Sequence, residues 1–272
     1  MFRTFVAATA FVTLTSAGAL AGGAAQNPLT DSETWNDLRV DVVGEAALTD
    51  GDGLLSLDAP YRAHDAATVP LVLTQTDSSQ IISAATVVID ENPAPVAGTF
   101  TFGEAMAPLN FEMRVRINQY SNVRVIAETE AGLFMTGRFV KASGGCSAPA
   151  SKDPTAALAS MGEMKLRMFG DADAPKMSPM RRETQIMVRH PNYSGLQRDQ
   201  VTQLFIQAHF IDHIEVWQGK EMLFAMDGGI SISENPVFRF SYADNGSPAL
   251  TVKATDTEGN SFEEVLLKDP AT

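Results

Sequence analysis

The chain has 272 residues, 44% of them apolar, with 33 acidic against 20 basic side chains and a formal charge of −13. That apolar content excludes wholesale disorder, and the length suits two compact domains. The negative balance excludes a nucleic-acid binder, which needs a basic face, and gives no attraction to an anionic membrane surface.

Residues 1–21 carry the marks of an export signal. Arg3 supplies the positive start, Phe5 to Leu14 form an apolar run broken only by Thr9 and Thr13, and Ala19-Leu20-Ala21 fits a small-residue cleavage site, with Ala25 as a second position. The run falls short of the roughly 20 residues that span a bilayer. No arginine pair precedes it, which favours the general secretion route. A soluble mature protein outside the cytosol is expected.

From Gln26 to Ser32 the composition predicts a loose linker. Asp31-Ser32-Glu33 then looks like a helix start, and Trp35, Leu38, Val42 and Val43 recur at helical spacing, so one short N-terminal helix should pack onto the domain. Asp50-Gly51-Asp52-Gly53 lacks the third ligand and terminal glutamate of a calcium loop and is read as a turn. Strand-like segments follow at Leu54–Leu57, Val69–Leu73, Ala84–Ile89, Gly98–Phe102, Asn110–Ile117, Val123–Glu128 and Leu133–Val140. Asp90-Glu91-Asn92-Pro93-Ala94-Pro95 interrupts them as a turn, since its two prolines cannot continue a central strand.

Residues 142–160, rich in small residues and holding Pro149 and Pro154, form a linker between this first sandwich (30–141) and a second β-rich block (161–268). In the second block strands are expected at Met164–Phe169, Thr184–His190, Phe210–Trp217, Lys220–Met226, Val237–Tyr242, Ala249–Thr255 and Ser261–Leu267, with a polar loop over Asp171–Pro179 and a hairpin turn at Gln218-Gly219. The fold class is therefore all-β: two immunoglobulin-like β-sandwiches joined by a linker.

The linker carries the one cysteine of the chain, Cys146, within Ser143-Gly144-Gly145-Cys146-Ser147-Ala148-Pro149. A core cysteine usually sits among branched apolar residues. Here the neighbours are glycine, serine and proline, so the expectation is an exposed thiol on a mobile loop, with Gly144 and Gly145 as the flexible approach. An unpaired cysteine in an oxidising compartment either joins another molecule or acts through its sulfur. Only the thiolate is nucleophilic, and an unperturbed thiol titrates near pH ~8.5. Lys141 and Lys152 are the nearby basic residues, and the loop holds no histidine to serve as base, which suits a carrier better than a hydrolase.

Other constellations are weaker. His209 and His213 stand four apart, but alternation with Phe210, Ile214 and Val216 predicts a strand, with His209, Ile211 and His213 on its other face and a structural role rather than a metal site. His190 is expected to pack between the sandwiches and His64 to be exposed. Met177, Met180 and Met187 belong among twelve methionines whose role is read as adaptable packing rather than copper binding. No nucleophile elbow, phosphate loop or dinucleotide glycine pattern occurs.

With both halves laid out, the chain resembles a sulfur-oxidation carrier, the SoxY and SoxZ subunits fused head to tail. The SoxY likeness rests on Asp90-Glu91-Asn92-Pro93-Ala94-Pro95 with Ala97, Phe100 and Phe102, and on Gly144-Gly145-Cys146. The SoxZ likeness rests on His190-Pro191 with Gly195, Arg198 and Asp199, on His209-Phe210-Ile211, on Asn235-Pro236 and on Glu258-Gly259. The glycines that follow the cysteine in that family are replaced by Ser147 and Ala148, and the family's free chain end is here tied at both sides. Single-chain versions are known as SoxYZ-like carriers associated with quinoprotein dehydrogenases. The resemblance implies a periplasmic, non-catalytic protein without cofactor or metal, two packed sandwiches, and Cys146 as the covalent attachment site for sulfur intermediates. The partners it implies are sulfur-oxidising enzymes, or a quinoprotein dehydrogenase for which the chain would act as a docking or chaperone module. A thiol enzyme is the third and weakest reading.

Overall fold

The computed structural model describes residues 27–149, 154–169 and 181–268. The export signal, the middle of the linker and the Asp171–Pro179 loop, with Met177 and Met180, lie outside the described residues. The chain order is α1 (Glu33–Val43), β1 (Leu48–Asp50), β2 (Leu55–Asp58), β3 (Val69–Gln75), β4 (Ala84–Ile89), β5 (Val96–Phe102), β6 (Asn110–Val115), β7 (Ser121–Thr129) and β8 (Gly132–Val140). After α2 (Pro154–Ala159) come β9 (Met164–Phe169), β10 (Arg181–Val188), β11 (Ile211–Gln218), β12 (Glu221–Gly228), β13 (Val237–Ala243), β14 (Ala249–Asp256) and β15 (Ser261–Leu267).

The alternating patterns become strands with one face buried, as in β3, where Val69, Leu71 and Leu73 point inward. Helix α1 begins where its cap residue says it should: the Ser32 hydroxyl accepts from the Trp35 amide at 3.0 Å. Trp35 then packs on Val88 and Ile126 in a small cluster outside the main core. The segment before it is not loose. Asn27 donates to the Ala59 and Phe139 carbonyls, and Asn122 bonds Thr30 through both amide and carbonyl oxygen. Short polar side chains with several backbone partners explain why composition alone suggested a free linker.

The halves are built as two sandwiches but share their sheets. One sheet runs β1-β8-β7-β4-β5-β12-β11-β14-β15 and the other β2-β3-β6-β13-β10-β9. Each passes from the first half to the second without a break, through β5–β12 (Phe102 opposite Phe224, Gly98 opposite Gly228) and β6–β13 (Phe111 opposite Phe240, Met113 opposite Phe238). Between the layers at this seam Phe100, Phe102, Phe111, Phe224, Phe238 and Phe240 interlock, with Phe111 and Phe224 edge-to-face at 5.0 Å. Each such ring contributes about 1.5–3 kcal/mol by burial alone, so the seam is core rather than a contact between separate bodies. Ladder hydrogen bonds across it remove the edges that β5, β6, β12 and β13 would otherwise expose.

Candidate functional site: the Cys146 loop at the seam

Cys146 is not displayed on an arm. It is fully buried, together with Ala142 and Gly145, while Ser143, Ser147 and Pro149 of the same loop stay exposed. The first half supplies one side of the seat. The Gly144 amide donates to the Asn118 carbonyl at 2.8 Å, and the Gly145 amide donates to the Ile117 carbonyl at 3.0 Å. A Cβ on Gly145 would stand 2.1 Å from the Ala66 carbonyl oxygen and 2.7 Å from that of Ile117. Gly144 has φ +79, a conformation costly for a side chain. The glycines expected to confer freedom therefore serve close approach. Bare backbone lets the loop lie flat on the 66 and 117 segments.

The second half closes the other side. The Ser194 hydroxyl donates to the Cys146 carbonyl at 2.5 Å, and the Gln197 amide donates to the Ala148 carbonyl at 3.1 Å. The 190–197 segment that brings these donors is itself fixed by a polar knot. Asn192, at φ 43, donates to the Ser233 carbonyl and accepts from the Ile211 amide. Its own amide donates to His190 Nδ1 at 3.0 Å, so the His190 proton sits on Nε2 and is donated to Asp256 Oδ2 at 3.3 Å. His209 Nε2 donates to the same oxygen at 2.8 Å, and Asn260 adds a third donor.

His190, His209 and Asp256 have ligand atoms within 4.8 Å of one another, but they do not fit a metal. A cation on His190 Nε2 would force the proton onto Nδ1, against the Asn192 N–H that already points there. Burial and the neighbouring His209 push the His190 pKa down, whereas hydrogen bonds from Asn260 and His209 hold the Asp256 carboxyl far below the usual carboxylate range, despite burial that would raise it. The trio is a charge-satisfied brace behind the cysteine loop. His213, expected to share a face with Ile211, does not: a bulge between these residues turns His213 outward, onto Asp227 at 2.7 Å and Glu215. His64 is exposed, as the sequence suggests. The hairpin expected at Gln218-Gly219 falls one residue later, on Gly219-Lys220, because Gln218 pairs with Glu221.

The residue that sequence reasoning missed is Arg116. It follows β6, directly before the Ile117 and Asn118 carbonyls that seat the loop, and is 2% exposed. Its Nη1 donates to the Ile232 carbonyl at 2.6 Å and to that of Ile230 at 3.4 Å. Its Nε is buried without a hydrogen-bond partner, and among the described residues no carboxylate lies within ion-pair distance of it. Burial pushes the Cys146 thiol pKa up, and the Arg116 charge opposes that rise. Glu234, half-buried, is also pushed up by burial and held back by Arg116. Asn92, from the Asp90–Pro95 turn, ties the site together. Its amide donates to the Arg116 carbonyl at 2.7 Å and to the Ser231 hydroxyl at 2.8 Å, and its carbonyl oxygen accepts from the Asn118 amide.

Beside the loop a cavity of about 260 Å³ opens, lined by Ser147, Pro149, Leu196, Arg198, Asp199 and Gln203 among others. Val201, Leu204 and Phe205, from the same stretch as that rim, are left in solvent.

Comparison with known proteins gives two family matches in this one chain. "Sulfur oxidation protein SoxY" matches residues 39–146, ending on Cys146, and "Sulphur oxidation protein SoxZ" matches residues 174–266. No curated protein matches the chain. Among solved structures, the sulfur carrier protein SoxY from Chlorobium limicola f thiosulfatophilum is 19% identical over 40% of this chain and 94% of its own, with a TM-score of 0.34. A beta-glycosidase from Bacteroides vulgatus is 9% identical over 79% of this chain and 25% of its own, with a TM-score of 0.25.

Proposed function

Because this chain belongs to the SoxY and SoxZ families, joined in a single polypeptide, we propose that it is a periplasmic carrier that holds sulfur intermediates covalently on Cys146 and presents them to partner oxidising enzymes. The observation that carries the reading is that the SoxY match ends on the one cysteine of the chain, and that this cysteine lies on the seam with the SoxZ half. Export through the segment 1–21 supports the compartment.

Loading joins the Cys146 sulfur to the outer sulfur of thiosulfate. The thiol gives up its proton, a sulfur–sulfur bond forms, and two electrons leave to an oxidising partner enzyme: R–SH + S2O3²⁻ → R–S–SSO3⁻ + H⁺ + 2e⁻. At rest the thiol is buried and its proton is held tightly, so the seated loop is unreactive. Access requires the 144–149 segment to lift from its seat, at the cost of the Gly144, Gly145, Cys146 and Ala148 hydrogen bonds. Each is a single net bond of about 0.5–1.5 kcal/mol, within reach of a docking partner's binding energy. The exposed Val201, Leu204 and Phe205 supply apolar surface for such a partner beside the loop.

Intact-mass analysis of protein isolated from its native host tests the reading. Additions on Cys146 matching sulfane or thiosulfonate groups are expected. An unmodified thiol, together with unchanged sulfur oxidation in a Cys146→Ser strain, overturns it.

A further inference from the structure

We propose that Arg116 is the anion-recognition residue of the cargo site: its guanidinium binds the terminal sulfonate of a thiosulfonate group attached to Cys146 when the loop is seated. The proposal rests on the carrier reading and names the chemical class of cargo that the seated state is built to hold.

A fully desolvated guanidinium is costly unless its charge is met. Arg116 is buried, yet among the described residues it bonds two neutral carbonyls, its Nε is unpaired, and no carboxylate lies within ion-pair distance, half-buried Glu234 acting on it from farther away. The backbone directly after it, Ile117 and Asn118, forms the ledge to which Gly144 and Gly145 are bonded. The loop that bears the sulfur and the cation that lacks an ion pair are thus locked in adjacent registers. The Arg116 charge is felt at the Cys146 sulfur, where it counteracts the effect of burial. The other ionisable groups of this corner are Glu234, coupled to Arg116 and bonded by the Asn235 amide, and Tyr193. The empty thiol is neutral and gives Arg116 nothing. A thiosulfonate brings a permanent negative charge with three acceptor oxygens, the shape that a planar fork of N–H donors recognises best. Glu234 is the rival anion, so its removal should strengthen the preference.

The test compares two thiol reagents of similar size and opposite charge, 2-sulfonatoethyl and 2-aminoethyl methanethiosulfonate. Each transfers its thioalkyl group to the Cys146 thiolate and releases methanesulfinate, so no outside oxidant is needed. Each attached group is then removed by a small thiol, which also requires the loop to lift, so the anion-to-cation ratio of protection against removal reads how each group is held in the seated state. Arg116→Met should lower the anion-to-cation ratio by about tenfold or more, the worth of a desolvated charge-assisted bond. Glu234→Gln should raise the ratio. Arg114→Met removes an exposed charge two residues away and should leave it nearly unchanged. An Arg116→Met ratio equal to wild type, or a fall equalled by Arg114→Met, overturns the proposal.

Should Arg116→Met fail to fold, wild-type protein decides alone. Tetrathionate loads the thiolate with the thiosulfonate itself (R–S⁻ + S4O6²⁻ → R–S–SSO3⁻ + S2O3²⁻), and methyl methanethiosulfonate loads a neutral methylthio group. The thiosulfonate form should unfold at higher urea than the methylthio form; equal or lower stability overturns the proposal. A chain that shows the charge preference yet carries nothing in its host sinks the carrier reading. A chain loaded in its host but without the preference sinks only the role of Arg116.

Discussion

Two arginines eight residues apart, both buried in the first half, are treated in opposite ways. Arg124 is neutralised at home. Its Nε and Nη2 each meet Asp90 at 2.9 Å, Asn122 donates to the same carboxylate, and the guanidinium lies 4.6 Å from the centre of the Trp35 ring. Arg116 has two carbonyls and an unpaired Nε. The first arrangement pins helix α1 and the Asp90 turn onto the sheet and leaves nothing to recruit. The second leaves a charge without an ion pair, answered only at longer range by half-buried Glu234, at the place where the cysteine loop is seated. Burial alone therefore does not separate a structural ion from a functional one; the completeness of its partners does.

The largest effect expected from breaking this comparison is on Asp90. Asp90→Ala strands a buried guanidinium and should cost about 3–5 kcal/mol in urea-induced unfolding. Arg116→Met should cost less, about 1–3 kcal/mol, because it orphans two carbonyls but also removes a buried charge that has no ion pair. Equal losses would place the two arginines in one class and remove the argument for a waiting cation.

A second break targets the seat. Gly145→Ala drives a methyl into the Ala66 and Ile117 carbonyls, a strain of about 1–3 kcal/mol that lifting the loop relieves. Each 1.4 kcal/mol so relieved raises the open population about tenfold, and alkylation of Cys146 at pH 8 should quicken in proportion. Gly144→Ala, strained only by its positive φ, should act more weakly, by about 1 kcal/mol. An alkylation rate in Gly145→Ala no faster than wild type would mean that the thiol is reached without moving the loop.

What could be read ahead of the coordinates follows from the range of each signal. Period-two alternation placed β2 to β15 to within a few residues, missing only β1, and Ser32 marked the start of α1, because these are properties of adjacent residues. The family likeness rested on turns such as Asp90–Pro95, also local. Edge-to-edge pairing of β5 with β12 left no mark, since Phe102 and Phe224 serve equally well in a closed sandwich. The Cys146 seat was hidden for the same reason. Its walls are backbone carbonyls at 66 and 117 and a serine at 194, and carbonyls have no letter in a sequence. Gly144-Gly145 therefore looked like slack, when at Gly145 the missing side chain makes room for the backbone of Ala66 and Ile117. Arg116 falls within the alternating run Asn110–Ile117, on the period of Arg114 rather than of the inward Phe111, Met113 and Val115, so nothing in the letters sets it apart.

The smallest effect sharpens the comparison most, because it reads the Arg116 charge at the sulfur itself. Burial keeps the proton on the folded thiol to a higher pH than in the unfolded chain, and Arg116 holds that rise in check. The folded state then binds more protons than the unfolded one across the interval between the two pKa values, so stability falls as pH rises through it. The thiol's contribution is complete below the unfolded value near pH ~8.5 and is lost progressively above it. Cys146→Ser should lack this alkaline limb, and the difference between its urea midpoints and those of wild type should open only on the basic side. Arg116→Met should move the alkylation midpoint of Cys146 to still higher pH, since the opposing charge is gone, whereas Arg124→Lys, which keeps a charge already paired with Asp90, should leave it in place. A midpoint in Arg116→Met that fails to rise would mean that the charge does not reach the thiol, and the two arginines would then differ in their bonding but not in their use.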